Sequence, residues 1–271
     1  MCDGRFDLTG RVVIITGGAG LLGEQYALAL SRSGAHVVVA DVKGEAAERV
    51  ASAVEGAKAI SLEVDVTDPA AAIRMVEATL SAFGHVDGLV NNAALDPKFS
   101  LVHADEHTTS FERYPLGLWN RAIAVNLTGM FLCSQAVAPA MLSGKRGVIV
   151  NVCSTYGLVG PDQRLYQPAR QAGPRTYKPV TYSVTKSAVL GLTRYLATYF
   201  AGQGIRVNAL TPGGVYDGHD EEFMRQYSWR TPLGRMANRD EYSGAMIFLL
   251  SDASSYMTGA NLVVDGGWTA W

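Results

Sequence analysis

Tyr182 and Lys186 place a phenol and an ammonium group at a spacing that suits proton transfer. Four residues apart on a helix, the two side chains share one face. A free phenol titrates near pH 10, so a tyrosine that exchanges protons near neutral pH needs a cation beside it to lower its pKa by about 3 units, roughly 4 kcal/mol. Standing alone, such a pair is more often an ordinary helix pair. Its interpretation therefore depends on the elements that must position it.

The composition narrows the class of protein. With 271 residues and 48% hydrophobic content, the chain can fill the core of one α/β domain. The net charge of -2 gives no excess of positive charge that would attract nucleic acid or an anionic membrane, so a small-molecule partner is expected. Three scattered cysteines favour a reducing cytosol and predict neither disulfides nor a metal site. No apolar run approaches the roughly 18 residues of a membrane span, so we expect a soluble, cytoplasmic protein.

Short apolar β-branched runs alternate with longer helical segments along the chain. This order predicts a single-domain, Rossmann-type α/β fold, with a doubly wound parallel sheet of about seven strands and helices on both faces. The predicted strands are residues 12–15, 35–40, 59–64, 86–90, 148–152, 205–210 and 262–264. The predicted helices are residues 20–33, 44–55, 69–82, 116–142, 180–201 and 239–251. Two stretches, 153–179 and 211–238, are predicted to be irregular. Loops at the carboxyl ends of strands are where ligand-binding and catalytic sites form in α/β proteins.

A glycine-rich turn follows the first predicted strand. Residues 16–23 read Thr-Gly-Gly-Ala-Gly-Leu-Leu-Gly and open a helix whose N-terminal amides and dipole suit a pyrophosphate. Gly17 allows the tight turn, and Gly20 or Gly23 lets the backbone approach a phosphate and the helix pack on the strand. A turn that is rich in glycine for purely structural reasons is the alternative. The strand before it and the helix after it favour a dinucleotide site.

Asp41 stands at the end of the second predicted strand. A carboxylate at this point can accept both ribose hydroxyls of an adenosine and repels a 2′-phosphate, so we expect NAD rather than NADP. Lys43, two residues further on, and the alternative that Asp41 only caps the next helix leave that choice open.

Several further motifs resemble those of the short-chain dehydrogenase/reductase family, in that family's order and from about Leu8 to Gly267. They are Asp65-Val66 after the third strand, Asn91-Asn92-Ala93-Ala94 after the fourth, Asn126 within Val-Asn-Leu-Thr-Gly, Asn151-Val152-Cys153-Ser154, the segment Asn208 to Gly213, and the closing Asp265-Gly266-Gly267.

The resemblance implies hydride transfer with a proton relay. Tyr182 would be the acid/base, Lys186 would bond the nicotinamide ribose, Ser154 would orient the substrate oxygen, and Asn126 would keep a water in line. It also implies a homotetramer or dimer. The cofactor-binding residues that it implies, with NAD as the cofactor, are Gly17, Gly20, Leu22, Gly23, Asp41, Asp65, Val66, Asn91, Ala93, Tyr182, Lys186, Pro212, Gly213 and Val215.

Three positions depart from the family's classical type. Leu21 stands where that type usually has glycine, and the resulting spacing resembles the extended subfamily that works on nucleotide sugars. Asp217 stands where the family often has a threonine that bonds the carboxamide. Ser154 and Tyr182 are 28 residues apart, so an insertion spans about residues 158–179.

We therefore expect residues 1–271 to form one NAD-binding catalytic domain that interconverts a secondary alcohol and a ketone, on a sugar or another polar or acidic substrate. The insertion 158–179 and the loop 211–238 would form the substrate side. Basic residues of the insertion would meet an acidic or phosphorylated group, or simply belong to a solvated loop or a subunit contact. Those residues are Arg164, Arg170, Arg175 and Lys178.

Two other functions stay open at this point. One is an epimerase or dehydratase that uses NAD transiently, which the spacing around Leu21 suggests. The other is a non-catalytic NAD-binding protein on the same fold, because a fold does not by itself imply a function.

Overall fold

Seven parallel strands form one sheet at the centre of the molecule. The computed structural model describes residues 4–96, 110–166 and 176–271. The strands lie in the order β3-β2-β1-β4-β5-β6-β7, and every neighbouring pair is parallel. This arrangement confirms the predicted doubly wound sheet. The strands are β1 (Val12–Thr16), β2 (His36–Asp41), β3 (Ala59–Glu63), β4 (Gly88–Asn91), β5 (Gly147–Val152), β6 (Ile205–Pro212) and β7 (Asn261–Val264).

Helices cover both faces of this sheet. Two of them, α4 and α5, are joined by a π-helical segment, Ala124–Gly129. The helices are α1 (Leu21–Arg32), α2 (Gly44–Ser52), α3 (Pro69–Phe83), α4 (Leu116–Ile123), α5 (Met130–Gly144), α6 (Val180–Tyr199), α7 (Glu221–Arg230) and α8 (Ser243–Leu250). Short 3₁₀ segments follow β5, at Thr155–Gly157 and Gln163–Tyr166.

Alternate residues of β1 enter two separate hydrophobic clusters. Val13 and Ile15 pack with Leu30 of α1 and Met246 of α8 on one face. Val12 and Ile14 pack with side chains of α3 and α5 on the other face. Every residue of β1 is buried, as expected of a strand covered on both sides. The sheet is thus held rigidly between two layers, and its carboxyl edge becomes a fixed platform for a site.

The stretch 211–238, predicted to be irregular, contains more regular structure than its sequence suggested. β6 continues to Pro212, and α7 forms at Glu221–Arg230. Asp220 starts α7, because its Oδ1 accepts the N–H of Phe223 at 2.9 Å. Acidic residues in the first turn and an ion pair three residues apart on the helix add local support.

Other boundaries differ from the predicted ones by a few residues. The helix predicted at 116–142 runs to Gly144 and contains the π-helical segment, and the one predicted at 239–251 covers only Ser243–Leu250. Frayed ends and bifurcated hydrogen bonds at helix termini explain such shifts.

The continuous helix Leu116–Gly144 is long and apolar enough to cross a membrane by length and composition, with a mean hydropathy of 1.4 over 18 consecutive residues. The core helix of an α/β domain passes the same test. The α5 half of this helix packs against α3, β4 and β5, so we interpret it as an internal helix of the fold.

Candidate active site

One large cleft opens at the carboxyl edge of the sheet, where the ends of β1 to β6 meet. Its volume is about 1470 Å³, which exceeds the roughly 300–1,000 Å³ typical of small-ligand sites. The turn after β1, the end of β2 and the end of β5 line it, and so does α7. The cleft therefore has room for a dinucleotide together with a substrate.

Two glycines of the turn after β1, Gly17 and Gly23, lie too close to neighbouring backbone atoms to carry a side chain. Gly17 has a φ of +61°, and a Cβ there would lie 2.8 Å from the Cα of Ala93. A Cβ at Gly23 would lie 2.2 Å from the carbonyl oxygen of Gly17. Gly20 precedes α1 and has no side chain to cap its first N–H groups. These N–H groups receive no side-chain cap from Gly20, so they are available to an anion.

Asp41 lies in the cleft with its carboxylate fixed by two main-chain groups. Its Oδ2 accepts the N–H of Ala19 at 3.1 Å, and its Oδ1 accepts the N–H of Lys43 at 3.0 Å. Each carboxylate oxygen has a further lone pair for a ligand hydroxyl. The bond to Lys43 is a local turn and not the helix cap of the alternative interpretation, because Lys43 itself is the N-cap residue of α2. The bond to Ala19 ties Asp41 to the glycine turn. The carboxylate can serve a ribose while making both contacts.

Asp65 and Val66 line the cleft beside β3. Asp65 Oδ1 accepts hydrogen bonds from the N–H and the hydroxyl of Thr67, at 2.9 and 2.7 Å. Val66 packs against Gly129, where a Cβ would lie 2.7 Å from its Cγ2. The glycine in the π-helical segment thus leaves space for Val66 at the wall of the cleft.

Ser154, Tyr182 and Lys186 come together on the opposite side of the cleft. Ser154 follows β5, and its Oγ accepts the N–H of Tyr156 at 3.2 Å. Lys186 lies on α6 one turn after Tyr182, and its Nζ donates to the carbonyl of Val152 at 2.8 Å. The Nζ of Lys186 is 5.9 Å from the centre of the Tyr182 ring. A hydroxyl, a phenol and an ammonium therefore surround one point of the cleft.

Burial has the largest effect on the pKa values of both Tyr182 and Lys186. It raises the pKa of Tyr182 well above the usual value, the carboxylate of Asp96 raises it further, and a hydrogen bond with Ser154 lowers it. Burial also lowers the pKa of Lys186. The groups of the chain itself thus hold the proton on the Tyr182 phenol, and additional positive charge is needed to release it near neutral pH.

Asn126 lies in the π-helical segment, buried behind the cleft. Its Oδ1 accepts the N–H of Leu95 at 2.6 Å, and its Nδ2 donates to the carbonyl of Leu95 at 3.1 Å and to the hydroxyl of Thr185 at 3.2 Å. It thereby connects the segment after β4 to α6, one residue before Lys186. π-Helical turns are frequent at functional sites because they leave backbone groups free to bond elsewhere.

Asn91, which the sequence assigned to the cofactor, points below the cleft. Its Nδ2 donates to Asn151 Oδ1 at 2.9 Å and to Ser134 Oγ at 3.0 Å. Its neighbour Asn92 lines the cleft instead, and its Nδ2 donates to the carbonyl of Gly17 at 2.9 Å. Strand alternation, which sends successive side chains in opposite directions, could have separated the two.

The remaining cofactor residues inferred from the sequence divide into two groups. Gly23 packs under the glycine turn and does not belong to the cleft lining. The residues that do line the cleft are Gly17, Gly20, Leu22, Asp41, Asp65, Val66, Ala93, Tyr182, Lys186, Pro212, Gly213 and Val215.

An aromatic wall, formed by Tyr156, Tyr166, Phe223 and Tyr227, packs beside Tyr182 and was not predicted. The hydroxyl of Tyr166 donates to that of Tyr156 at 2.7 Å, and the hydroxyl of Tyr227 accepts the N–H of Gly214 at 2.6 Å. Trp268 is buried behind this wall and stacks on Tyr227 at 4.2 Å. The i, i+4 spacing of Phe223 and Tyr227 on α7 was the available signal.

Basic residues of the insertion are paired with carboxylates where the structure describes them. Arg164 donates to Asp162 at 2.8 Å, and Arg230 of α7 bonds the same carboxylate. Lys178 pairs with Asp96. Arg170 and Arg175 lie outside the described residues, as does the stretch 167–175 that holds them.

Asp217 also lines the cleft. Its Oδ1 accepts a hydrogen bond from Arg239 at 2.6 Å, so the carboxylate that replaces the expected threonine is held by a cation. The two groups together form a polar contact at the edge of the cleft that the family's usual residue would not make.

Known proteins match nearly the whole chain. A family model described as enoyl-(acyl carrier protein) reductase matches residues 18–269. A 2,5-dichloro-2,5-cyclohexadiene-1,4-diol dehydrogenase of Sphingobium indicum is 36% identical, with 97% of this chain and 99% of the relative covered. A cis-4-hydroxycyclohexanecarboxylate dehydrogenase of Sinomonas cyclohexanicum is also 36% identical, with 96% and 97% covered.

Solved structures agree over the same length. The NAD⁺-bound structure of a xylitol dehydrogenase superposes with a TM-score of 0.82 at 30% identity, with 96% of this chain and 99% of the other covered. A gluconate 5-dehydrogenase from Burkholderia cenocepacia, in complex with NADP and tartrate, gives a TM-score of 0.82 at 31% identity, with 98% of each chain covered. Relatives of this chain thus include oxidoreductases that act on CH–OH groups, with either nicotinamide cofactor.

Proposed function

The chain belongs to the short-chain dehydrogenase/reductase family, and from this premise we propose that it is an NAD-dependent enzyme that interconverts a secondary alcohol and a ketone. One observation carries the proposal: Ser154, Tyr182 and Lys186 line the same cleft as the glycine turn and the carboxylate of Asp41. The residues that would handle a substrate proton therefore face the space in which a nicotinamide cofactor fits.

The choice of NAD is supported by the position and charge of Asp41. Its carboxylate lies in the cleft beside the glycine turn, and both of its oxygens are oriented by main-chain N–H groups. A 2′-phosphate would place a second negative charge against it, whereas ribose hydroxyls would donate to it. When bound, the oxidised nicotinamide supplies a hydride acceptor and a positive charge.

Proton transfer belongs to the residues of the chain. In the oxidation direction, the phenolate of Tyr182 accepts the proton of the substrate hydroxyl, and in the reduction direction the phenol returns it. Ser154 orients the substrate oxygen through its hydroxyl. The ammonium of Lys186, which the carbonyl of Val152 holds at 2.8 Å, favours the phenolate form. Asn126 positions the helix that carries both residues by bonding Thr185.

We propose that the substrate is a neutral secondary alcohol on a carbocyclic ring. The aromatic wall presents mostly apolar ring surface, and the hydroxyls of Tyr166 and Tyr227 each make a hydrogen bond within the protein. Two described cations lie beside the wall, and both are paired: Lys178 with Asp96, and Arg230 with Asp162. These ion pairs leave little attraction for a sugar phosphate or an acid. Two of the relatives are named for alcohols on six-membered rings; because one of these alcohols is a carboxylate, the relatives support the ring and not its charge.

A panel of alcohols tests this proposal. Purified protein is mixed with NAD or, in parallel, NADP, and the absorbance of the reduced cofactor is followed with cyclohexanols, linear diols, polyols and sugar acids. We expect turnover with NAD and the highest kcat/KM for cyclohexanols. Turnover with sugar acids alone would reject the substrate class and leave the reaction type standing. NAD that remains bound through purification, without net turnover, would favour the epimerase or dehydratase alternative.

We further propose a homotetramer or dimer in the cytoplasm. Tyr195 and Tyr199 project from α6 with about 60% of their surface exposed, and such aromatic side chains are typical of subunit contacts. The described cysteines, Cys133 and Cys153, are buried free thiols, which suits a reducing compartment. Light scattering after size-exclusion chromatography measures the assembly, and a monomeric mass would refute it.

A further inference from the structure

Lys178 is fixed directly over the ring of Tyr182. Its Nζ lies 4.3 Å from the ring centre, closer than the 5.9 Å of Lys186. Only 9% of the Lys178 side chain is exposed. Burying an ammonium group to this extent costs free energy because water is removed from the charge, and a charged partner is needed to offset that cost.

Both ends of Lys178 are anchored. Its main-chain N–H donates to Gln163 Oε1 at 2.9 Å, while Gln163 Nε2 donates to its carbonyl at 3.4 Å. Its ammonium forms an ion pair with the carboxylate of Asp96, in the segment after β4. The side chain is thus held between two parts of the chain, with the ring of Tyr182 beneath it.

We propose that Lys178 and Asp96 form a charge pair that positions Tyr182 and sets its readiness to release a proton. Lys178 acts as a positioning residue: it holds the phenol ring through a cation–π contact and favours the phenolate. Asp96 holds the lysine in place and favours the phenol. This proposal rests on the proposed function only in giving Tyr182 the proton-transfer role.

Among the described residues, the charged and titratable groups that face Tyr182 come from four parts of the fold. Asp96 approaches from the segment after β4, Lys178 from the residues before α6, and Lys186 from α6 itself. Cys153 and Tyr156 approach from the end of β5 and the following turn. Among these groups, Lys178 and Lys186 are the cations, and Asp96 is the carboxylate. Asp96 raises the pKa of Tyr182, whereas its partner Lys178 lies nearest to the ring.

The pair predicts opposite effects for its two members. In Lys178→Met, the carboxylate of Asp96 acts on Tyr182 without its counter-ion, so the apparent pKa of the tyrosine should rise by about one unit. In Asp96→Asn, the ammonium acts alone, and the apparent pKa should fall by a similar amount. The double variant should return close to the wild type. A purely structural role for the pair would not produce opposite signs.

Tyrosinate absorbance in the near ultraviolet measures this directly. Each protein is titrated with and without NAD, and the same background carrying Tyr182→Phe is subtracted, which isolates the signal of Tyr182. Because the titration needs no turnover, it tests the pair even if the wild type oxidises no alcohol, an outcome that would refute the proposed function alone. The pH profile of kcat/KM should shift in the same direction in each active variant.

Lys178→Arg is the charge-retaining control: it keeps a positive charge beside the ring, so the apparent pKa of Tyr182 should stay closer to the wild-type value than in Lys178→Met. If Lys178→Met does not fold, Asp96→Asn decides alone. A downward shift in Asp96→Asn supports the pair. Unchanged titration in both variants, or shifts of the same sign, would overturn it.

Discussion

The carboxylate of Asp41 accepts the N–H of Ala19 at 3.1 Å, which joins the end of β2 to the turn after β1. This bond fixes the direction of a negative charge at the point where the cleft would receive a ribose. The same two segments also share the bond from the N–H of Gly18 to the carbonyl of Ala40, at 3.1 Å. The glycine turn and the residue proposed to select the cofactor are therefore joined by two hydrogen bonds.

Replacing Asp41 should weaken NAD selectively. In Asp41→Asn the charge is lost, and charge-assisted hydrogen bonds to the ribose are worth about 1.5–3 kcal/mol, which corresponds to a loss of roughly 10- to 100-fold in NAD affinity. Binding of NADP should hold or improve, because the repulsion of its 2′-phosphate disappears. Fluorescence titration with both cofactors measures the ratio. Glu45→Gln removes an exposed carboxylate outside the cleft and should leave the ratio unchanged; an equal loss for NAD and NADP in Asp41→Asn would count against the assignment.

Gly23→Ala should disrupt the glycine turn. The added Cβ would lie 2.2 Å from the carbonyl oxygen of Gly17, and backbone shifts of this kind cost about 1–3 kcal/mol. We expect a lower free energy of unfolding and a larger loss of NAD binding. Gly191→Ala on α6 is the matched control, since no atom lies within 4 Å of its added Cβ. That change should stabilise the protein by up to about 1 kcal/mol. Urea unfolding compares the two variants. A free energy of unfolding for Gly23→Ala equal to that of the wild type would contradict the close packing of Gly23 against Gly17.

Asn126→Ala should loosen the segment after β4. The change removes three hydrogen bonds and leaves the part-buried N–H and carbonyl of Leu95 without this partner, at a cost of about 1–3 kcal/mol. Turnover should fall together with the free energy of unfolding. Asn120→Ala, on an exposed position of α4, should change the stability by less than about 0.5 kcal/mol. If both variants unfold at the same urea concentration as the wild type, Asn126 does not hold this segment.

Tyr26→Phe should stabilise the protein by about 1 kcal/mol near neutral pH. The Tyr26 hydroxyl is buried and makes no hydrogen bond with any described residue, so its removal ends a desolvation cost. Burial also raises the pKa of Tyr26 far above the usual value. In the unfolded chain Tyr26 ionises near pH 10, while in the folded protein it stays neutral. The effect of Tyr26 on the free energy of unfolding is therefore constant below about pH 10, and above that pH ionisation of the unfolded chain lowers the free energy of unfolding.

The alkaline slope of stability measures that pKa. Between about pH 10 and 12, Tyr26→Phe should lose about 1.4 kcal/mol less per pH unit than the wild type. Tyr256→Phe is the control, because the Tyr256 side chain is fully exposed and should titrate alike in both states. Urea unfolding across this range gives the slopes, and parallel slopes for the wild type and Tyr26→Phe would refute the burial of this phenol.

The sequence predicts the sheet well because buried parallel strands leave a local signal. Each strand is a short β-branched run, and the glycine turn and Asp41 follow strands directly, so their place at the carboxyl edge follows from topology. The π-helical turn around Asn126 could not be read in the same way, since nothing in its composition distinguishes it from the α-helix on either side.

The substrate side of the cleft was the harder part. The distance from Ser154 to Tyr182 along the chain predicted an insertion, but it did not predict that Lys178 would lie over the ring of Tyr182. Likewise, α7 depends on a local cap at Asp220 and on packing of Phe223 and Tyr227 against Tyr166 and Trp268, which are distant in sequence. Contacts between distant residues cannot be read from periodicity alone.

The most direct test of the proposed chemistry compares NAD reduction by the wild type and Tyr182→Phe, with a cyclohexanol as substrate and Tyr256→Phe, at a fully exposed tyrosine, as the control. The loss of a general acid/base lowers turnover by about 100-fold or more, so we expect at least this decrease in kcat for Tyr182→Phe while NAD still binds. Tyr256→Phe should match the wild type. A rate for Tyr182→Phe close to that of the wild type would contradict the assignment of Tyr182 as the proton-transfer residue.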